Sequence, residues 1–201
     1  MDNVKVIGGG LAGSEAALQL AKRGIDVELY EMRPKKSTGA HVGSDFAEFV
    51  CSNSLGSSDV TNASGLLKKE METLGGELIK IAYECSVPAG NALAIDRTLF
   101  SSKVTEKIKQ NEHITIINDE VEEIPEGNVI VASGPLTSDK LSESIKSFTK
   151  EEHLHFFDAI APIIEKDSIN FHIAFYASRY DKGEASYINC PMNKEQYEKF
   201  Y

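Results

Sequence analysis

The chain of 201 residues has no tryptophan, only three cysteines and no long apolar run. Cys51, Cys85 and Cys190 are widely spaced and odd in number, and no two of them form a C-x-x-C pair. Such spacing argues against a disulfide framework and against a structural zinc site, so no metal is predicted. The first residues resemble neither a signal peptide nor a membrane span, so we expect a cytoplasmic protein without membrane contact.

Positive charge is also scarce. Against 31 acidic residues the chain has 21 Lys and Arg, which gives a formal net charge of −10. A polyanion is not attracted to such a chain as a whole, so any contact with nucleic acid has to be local. The content of 41% hydrophobic and 26% charged residues is ordinary for a globular protein. The length is sufficient for one well-buried domain and part of another.

The most informative motif is a glycine-rich turn that directly follows a short apolar segment. Residues 4–7 read Val-Lys-Val-Ile, and glycines with the spacing G-x-G-x-x-G come next. The first glycine of this pattern allows a tight turn, the second lets a pyrophosphate approach the backbone, and the third lets the following helix lie close to the strand. The free amides at the start of that helix favour an anion. The candidate cofactor contacts in the turn are Gly8, Gly9, Gly10, Leu11, Ala12 and Gly13.

A helix and a second strand are predicted after the turn. Ala12, Ala16 and Leu20 form an apolar stripe at helical spacing. Residues 27–31 then form a strand that ends in Glu31. A carboxylate at this place accepts hydrogen bonds from both ribose hydroxyls of an adenosine and repels a 2′-phosphate. Turn and acid together predict a dinucleotide site; the alternative is a glycine-rich turn that holds no ligand.

The remaining periodicity completes an α/β pattern. Helices are predicted over residues 66–81 (with an interruption at Gly75-Gly76), 96–109 and 194–201, and strands over 114–118, 121–124 and 128–132. The last of these strands ends in Ser133-Gly134-Pro135, so we expect Gly134 on a second wall of the same pocket. The apolar residues expected along one helix face are Leu66, Leu67, Met71, Leu74, Leu78 and Ile81 in the first helix, and Leu99, Phe100, Val104 and Ile108 in the second.

A long segment over residues 33–65 contains several glycines and serines and shows little periodicity. Connections of this length are usually functional. Cys51 stands in it before a Ser-Asn-Ser run that supplies donors for a thiolate, and His41 would come near in space. A lone cysteine after two apolar residues is also typical of a small core residue, so both interpretations stay open.

Six segments taken together resemble one family, the folate- and FAD-dependent tRNA (uracil-5-)-methyltransferases called TrmFO and formerly Gid. The glycine motif is common to many flavoproteins, whereas YEMRP and VCSNSL in this order are much more specific. The segments are GGGLAGSEAA, LYEMRP, FAEFVCSNSL, VPAGNALAIDR, VIVASGPLTS and SRYDKGEASYINCPM. Members of the family are more than twice as long, so the chain resembles an amino-terminal fragment.

The resemblance implies a Rossmann-like α/β fold of the glutathione-reductase type. It places an FAD-binding domain over residues 1–148, with residues 33–65 as its catalytic loop, and the start of an inserted α+β domain over 149–201. The glycine turn would hold the FAD pyrophosphate, Glu31 the adenosine ribose, and Gly134 the flavin side. Arg33 would touch the cofactor or a phosphate, or else form a surface ion pair.

The resemblance also implies the reaction. Methylenetetrahydrofolate gives a one-carbon unit, NADH or NADPH reduces the flavin, and C5 of a uridine in the tRNA T-loop is methylated. Cys51 matches the family cysteine proposed to attack the uracil ring, and the target base has to be extruded from the folded loop. Two other functions stay open, namely a flavin oxidoreductase acting on a small molecule and a truncated binding module without activity.

Overall fold

A computed structural model describes residues 3–50, 52–150, 164–178 and 184–201. Its centre is a parallel four-stranded sheet in the order β6-β2-β1-β7. The strands are β1 (Val4–Ile7), β2 (Val27–Tyr30), β6 (Ile114–Ile117) and β7 (Asn128–Val131). Helix α1 (Leu11–Ala21) connects β1 with β2, and the prediction of a Rossmann-like α/β fold is therefore confirmed.

A smaller antiparallel sheet and three further helices are inserted between β2 and β6. The strands β3 (Ser54–Ser57), β4 (Ser86–Val87) and β5 (Ala92–Ile95) pair in the order β3-β5-β4. The helices are α2 (Ala63–Thr73), α3 (Glu77–Glu84) and α4 (Arg97–Lys109). Helix α4 begins where predicted, because the side chain of Asp96 accepts a hydrogen bond from the Leu99 amide and caps its first turn.

The part of the chain after β7 contains short elements. A 3-10 helix (Gly134–Leu136) comes first and is followed by α5 (Asp139–Thr149) and a second 3-10 helix (Lys166–Ser168). The antiparallel strands β8 (Phe175–Ala177) and β9 (Tyr187–Asn189) and the helix α6 (Lys194–Phe200) come after them. The helix predicted over 194–201 is thus present. Its start is fixed by a capping box, in which Asn193 and Gln196 exchange hydrogen bonds between side chain and backbone.

The hydrophobic core lies between the parallel sheet and the helices α1, α3 and α4. Val6 and Leu29 face it from the sheet, and Phe100 and Val104 face it from α4. The Phe49 ring meets Phe100 edge to face, with ring centroids 5.4 Å apart. Burial of each such side chain stabilises the fold by about 2 kcal/mol. The Phe49 contact also anchors the segment that precedes residue 51 on the core.

The helix that the apolar stripe predicts is present as α1, but this stripe is not its most buried face. Ala12 is exposed and Ala16 and Leu20 are half-buried, whereas the helix buries Gly13, Ser14, Ala17, Leu18 and Ala21. The reason is the contact of Gly13 with the turn. A Cβ on Gly13 would lie 1.8 Å from the Gly8 oxygen, so this glycine must face inward and it sets the rotation of the helix.

The helix predicted over 66–81 is two helices, because Gly75 takes a left-handed φ of +82° and ends the first of them. Four apolar residues expected to pack along it are exposed, namely Leu66, Leu67, Met71 and Leu74. Helix α2 instead buries Lys68, whose Nζ donates to the Ser57 oxygen and to Ser64. In α4, Leu99 is likewise exposed rather than inward.

The strand predicted over 121–124 is absent from the described residues 52–150. The amide of Ile124 donates to Ser144 Oγ of α5 instead of to a neighbouring strand. The missed strands β3 and β5 lack the alternation of polar and apolar residues by which a strand is recognised.

Candidate dinucleotide-binding site

The glycine turn connects β1 with α1 and contacts the residues that follow β7. Gly8 has a φ of +104°, its amide donates to the Tyr30 oxygen at 2.9 Å, and a Cβ on it would lie 2.7 Å from the Ala132 oxygen. Gly10 is the N-cap of α1, and a Cβ there would have no atom within 4 Å. The turn is therefore crowded at Gly8 and Gly13 and open at Gly10, next to the amides with which a helix start attracts anions.

A cavity of about 490 Å³ adjoins this turn. It lies at the carboxyl ends of β1, β2 and β7, the place where ligands bind in open α/β sheets. The predicted site residues that line it are Gly8, Gly9, Gly10, Leu11, Ala12, Glu31, Arg33 and Gly134. Gly13 lies behind the turn instead. Cys51 is outside the described residues, but its neighbours Val50 and Ser52 line the cavity, as does His41.

Glu31 is held in place from two sides and is only 7% exposed. Its Oε2 accepts a hydrogen bond from the Gly9 amide at 2.9 Å, and its Oε1 accepts from the amide and the Nε of Arg33 at 3.1 and 2.9 Å. Burial opposes ionisation of this carboxyl, but the hydrogen bonds and charge of Arg33 outweigh it and lower the pKa below its usual value. Glu31 is therefore an ionised carboxylate beside the glycine turn.

Arg33 does not form the surface ion pair that was the alternative to a cofactor contact, because its side chain is buried and 1% of the residue is exposed. It pairs with Glu31 and, through Nη1 at 2.8 Å, with Glu48. It also donates to the backbone oxygens of Gly43 and Asp45. Glu48 was not predicted as a site residue, although it stands three positions before Cys51 in FAEFVCSNSL.

The loop before residue 51 is fastened to the glycine turn. The Ala47 amide donates to the Gly9 oxygen at 2.8 Å, and Ala47 takes a φ of +53° to do so. The Phe46 amide donates to Thr105 Oγ1 of α4 at 2.8 Å. A Cβ on Gly9 would lie 2.5 Å from the Phe46 ring. Gly9 thus supports the loop as well as the pocket.

The other cysteines differ in environment. Cys85 is buried, and burial raises the pKa of its thiol, whereas Cys190 is exposed. His41 has its Nδ1 2.7 Å from Thr38 Oγ1. Within the described ranges, no group of three or more His, Cys, Asp or Glu residues is arranged to hold a metal ion, and no helix is long and apolar enough to cross a membrane.

The parallel sheet, the glycine turn and the acid at the end of β2 define a Rossmann-like fold of the dinucleotide-binding class. The family model described as Glucose inhibited division protein A matches residues 3–201, and the chain belongs to this family. The resemblance to TrmFO is confirmed as well. The chain is 58% identical over 198 residues to the Methylenetetrahydrofolate--tRNA-(uracil-5-)-methyltransferase TrmFO of Bacillus licheniformis, and equally to that of Bacillus subtilis.

These alignments cover 98% of this chain and 46% of each relative, so the chain spans about half the length of the relatives it matches. Among solved structures, GidA of Aquifex aeolicus in its form I crystal superposes with a TM-score of 0.57 at 20% identity. That match covers 73% of this chain and 30% of the GidA chain. At this identity the likeness shows a shared fold.

Proposed function

We propose that this chain forms the FAD-binding part of a folate-dependent tRNA (uracil-5-)-methyltransferase. The observation that carries the proposal is that one cavity collects the glycine turn, the ionised Glu31, Gly134 and both neighbours of Cys51. The relatives named as methyltransferases match almost the whole chain, which supports the same conclusion. The division into residues 1–148 and 149–201 remains a prediction of the sequence.

The residues at the cavity suit the adenosine diphosphate half of FAD. An ionised carboxylate accepts hydrogen bonds from ribose hydroxyls, and the Glu31 carboxylate lies within hydrogen-bonding distance of the Gly9 amide in the turn. The space beside Gly10 is open where a pyrophosphate would approach the start of α1. Gly134, with a φ of +64°, lies on the opposite wall at the end of β7, the side proposed for the flavin.

The proposed reaction needs a nucleophile that adds to C6 of uracil, which makes C5 electron-rich. Cys51 is proposed for this role. When bound, FAD would accept electrons from NADH or NADPH, and the reduced flavin would relay these electrons and the one-carbon unit of methylenetetrahydrofolate. The proposed substrate is a uridine of the tRNA T-loop, which has to be extruded to reach the pocket. A cytoplasmic location is proposed with it. With a net charge of −10, the contact with tRNA has to be a local one.

A Gly10→Val variant tests the cofactor site. Gly10 has φ −73° and ψ −168°, which valine adopts, and open space at its Cβ, so the variant should fold; because glycine is preferred over valine at an N-cap, we expect a loss of stability of about 1 kcal/mol. A side chain there would occupy the pyrophosphate position, and we expect FAD affinity to fall by about a hundredfold or more. Fluorescence titration with FAD measures it. Gly39→Val, at an exposed and equally open position, is the matched control. Equal FAD affinity of both variants would exclude the proposed pyrophosphate position.

A further inference from the structure

Arg33 is the most buried charged side chain among the described residues. Four of its contacts use four of the five guanidinium N–H groups: Nε donates to Glu31, Nη1 to Glu48 and to the Gly43 oxygen, and Nη2 to the Asp45 oxygen. The planar fork of arginine is suited to bridging several acceptors in this way. One edge of the guanidinium therefore holds Glu31 at the end of β2, and the other edge holds the loop over residues 42–48.

Glu48 connects the two ends of the loop over residues 42–48. Its carboxylate accepts hydrogen bonds from the amides of Val42 at 2.8 Å and Gly43 at 3.2 Å, in addition to the ion pair with Arg33. The loop over residues 42–48 leads directly into the segment that contains Cys51. A continuous set of contacts therefore runs from the Gly9 amide through Glu31, Arg33 and Glu48 to this loop.

We propose that Arg33 is a positioning residue, which holds the Glu31 carboxylate for the ribose and fixes the loop over residues 42–48, and that it is not a ligand of the cofactor phosphates. The inference rests on the proposed function, because it assumes that a dinucleotide binds beside Glu31. Arg33 has its charge balanced by two carboxylates and most of its donors occupied, which leaves little of either for a phosphate. Glu48 then supports dinucleotide binding although it is negatively charged.

The sign of the effect of Glu48→Gln separates the two roles. If Arg33 contacted a phosphate, removal of a neighbouring negative charge would leave it more attractive to an anion, and FAD would bind more tightly. If Arg33 is a positioning residue, loss of the charged contact loosens Arg33 and the loop, and FAD affinity falls by about tenfold. Titration of FAD fluorescence measures the affinity. Hydrogen exchange of residues 42–48 without FAD should become faster in the same variant.

Glu120→Gln is the matched control. Glu120 lines the same cavity, but it pairs with Lys36 at 2.7 Å near the surface. This variant removes the same charge from the same cavity and leaves Arg33 and its two carboxylates in place. We expect its FAD affinity to stay within about threefold of the parent value, with any change toward tighter binding.

Arg33→Lys is a second variant, which keeps the charge and loses the fork. Lysine binds phosphate as a point charge, so a single contact with a phosphate would be retained in this variant. Lysine cannot bridge Glu31, Glu48 and the loop oxygens as the guanidinium fork does, so we expect FAD affinity to fall by about tenfold. Two results would overturn the inference. One is a Glu48→Gln variant that binds FAD as tightly as Glu120→Gln does, and the other is an Arg33→Lys variant with the parent's FAD affinity. Absence of FAD binding by the unmodified chain is a different outcome, since it would overturn the proposed function and the inference with it.

Discussion

Gly9 shows how much one residue contributes to this site. Its amide donates to Glu31, its oxygen accepts from the Ala47 amide and from Ser14 Oγ, and its missing side chain leaves room for the Phe46 ring. Both backbone polar groups and the absent Cβ are therefore used. Because the acid and the loop contact the same glycine, a small displacement of the turn would alter the pocket and the approach to Cys51 together.

Cys51 is the residue at which tRNA methylation and ordinary flavin chemistry differ. A thiolate that adds to C6 of uracil forms a sulfur–carbon bond, and this bond breaks again when the C5 proton is removed. In tRNA that contains 5-fluorouridine no proton is present at C5, so the adduct persists. In a protein of the full length of the TrmFO relatives, we expect Cys51→Ala to lower adduct formation by about a thousandfold or more while FAD binding is retained.

The adduct is measured by gel electrophoresis of the denatured complex of protein and RNA. Cys190→Ala removes an exposed cysteine from a different part of the chain and is the control, which should form the adduct at the parent rate. Full adduct formation by Cys51→Ala would return this cysteine to the role of a small core residue. The alternative of a small-molecule flavin oxidoreductase would then gain support, since the glycine turn and Glu31 serve it equally well.

Among the elements, α1 and α2 share an apolar groove. Ala12, Ala16 and Leu20 line it from α1, and Met71 of α2 and Leu74 at its C-cap line the other side. The groove has a volume of about 860 Å³, and Leu74 is 81% exposed. Residues from the apolar stripes of both helices thus line one groove. Leu66, Leu67, Met71 and Leu74 are all exposed, and exposed apolar side chains grouped in this way favour association.

A substitution at the rim of the groove tests that expectation. Leu74→Glu should reduce self-association of the chain without loss of stability, because the side chain makes little use of the core. Sedimentation velocity at several protein concentrations measures the association. Thr73→Glu adds the same charge at the neighbouring exposed position and leaves the apolar surface intact, so it should associate like the parent. A parent chain that is monomeric at all concentrations would contradict the prediction.

The comparison of α1 with α2 explains how far periodicity alone predicts these elements. Local signals gave the strand, the turn and the start of α1, because the glycine spacing constrains the backbone directly. Periodicity could not predict which face is buried. In α1 the contact of Gly13 with Gly8 decides the rotation, and in α2 the hydrogen bonds of Lys68 turn the leucines outward. Both are specific contacts with nearby residues, Gly13 with Gly8 in the turn and Lys68 with Ser57 and Ser64, and hydrophobic periodicity does not detect such contacts.

The same limit applies to the candidate site. The glycines, Glu31 and Gly134 could be assigned to one pocket because their roles follow from positions at strand ends. The buried position of Arg33 could not be predicted, since it depends on Glu48 and on the left-handed Ala47 that brings the loop onto the glycine turn. An alanine with positive φ leaves no signal in the sequence.

For the molecule as a whole, Glu77 joins three helices, α1, α3 and α4, that contact one another. Its carboxylate accepts hydrogen bonds from Lys22 after α1, from Lys80 within α3 and from Lys107 of α4. Glu15 of α1 in turn accepts from the first amides of α3, those of Glu77 and Leu78. The start of α3 is therefore fixed by charges from its neighbours, and its contribution should depend on pH.

The free energy of unfolding should decrease in acid, because protonation of Glu77 removes its ion pairs with the three lysines. Burial opposes ionisation of Glu77, but hydrogen bonds from Lys107 and Lys22 outweigh it and lower its pKa from 4.5 to about 2. Because the pKa in the folded state is the lower one, the contribution of Glu77 to stability is complete above pH 4.5 and is lost as the pH falls toward 2.

Urea unfolding at pH 7, 4.5, 3 and 2 measures this contribution. Glu77→Gln should be less stable than the parent by about 2 kcal/mol at neutral pH, and the difference should vanish near the lowest pH. Glu72→Gln, which removes only an exposed pair with Lys69, should change stability by less than about 0.5 kcal/mol throughout. A difference between Glu77→Gln and the parent that stays constant from neutral to acid pH would show that the carboxylate charge does not hold these helices together.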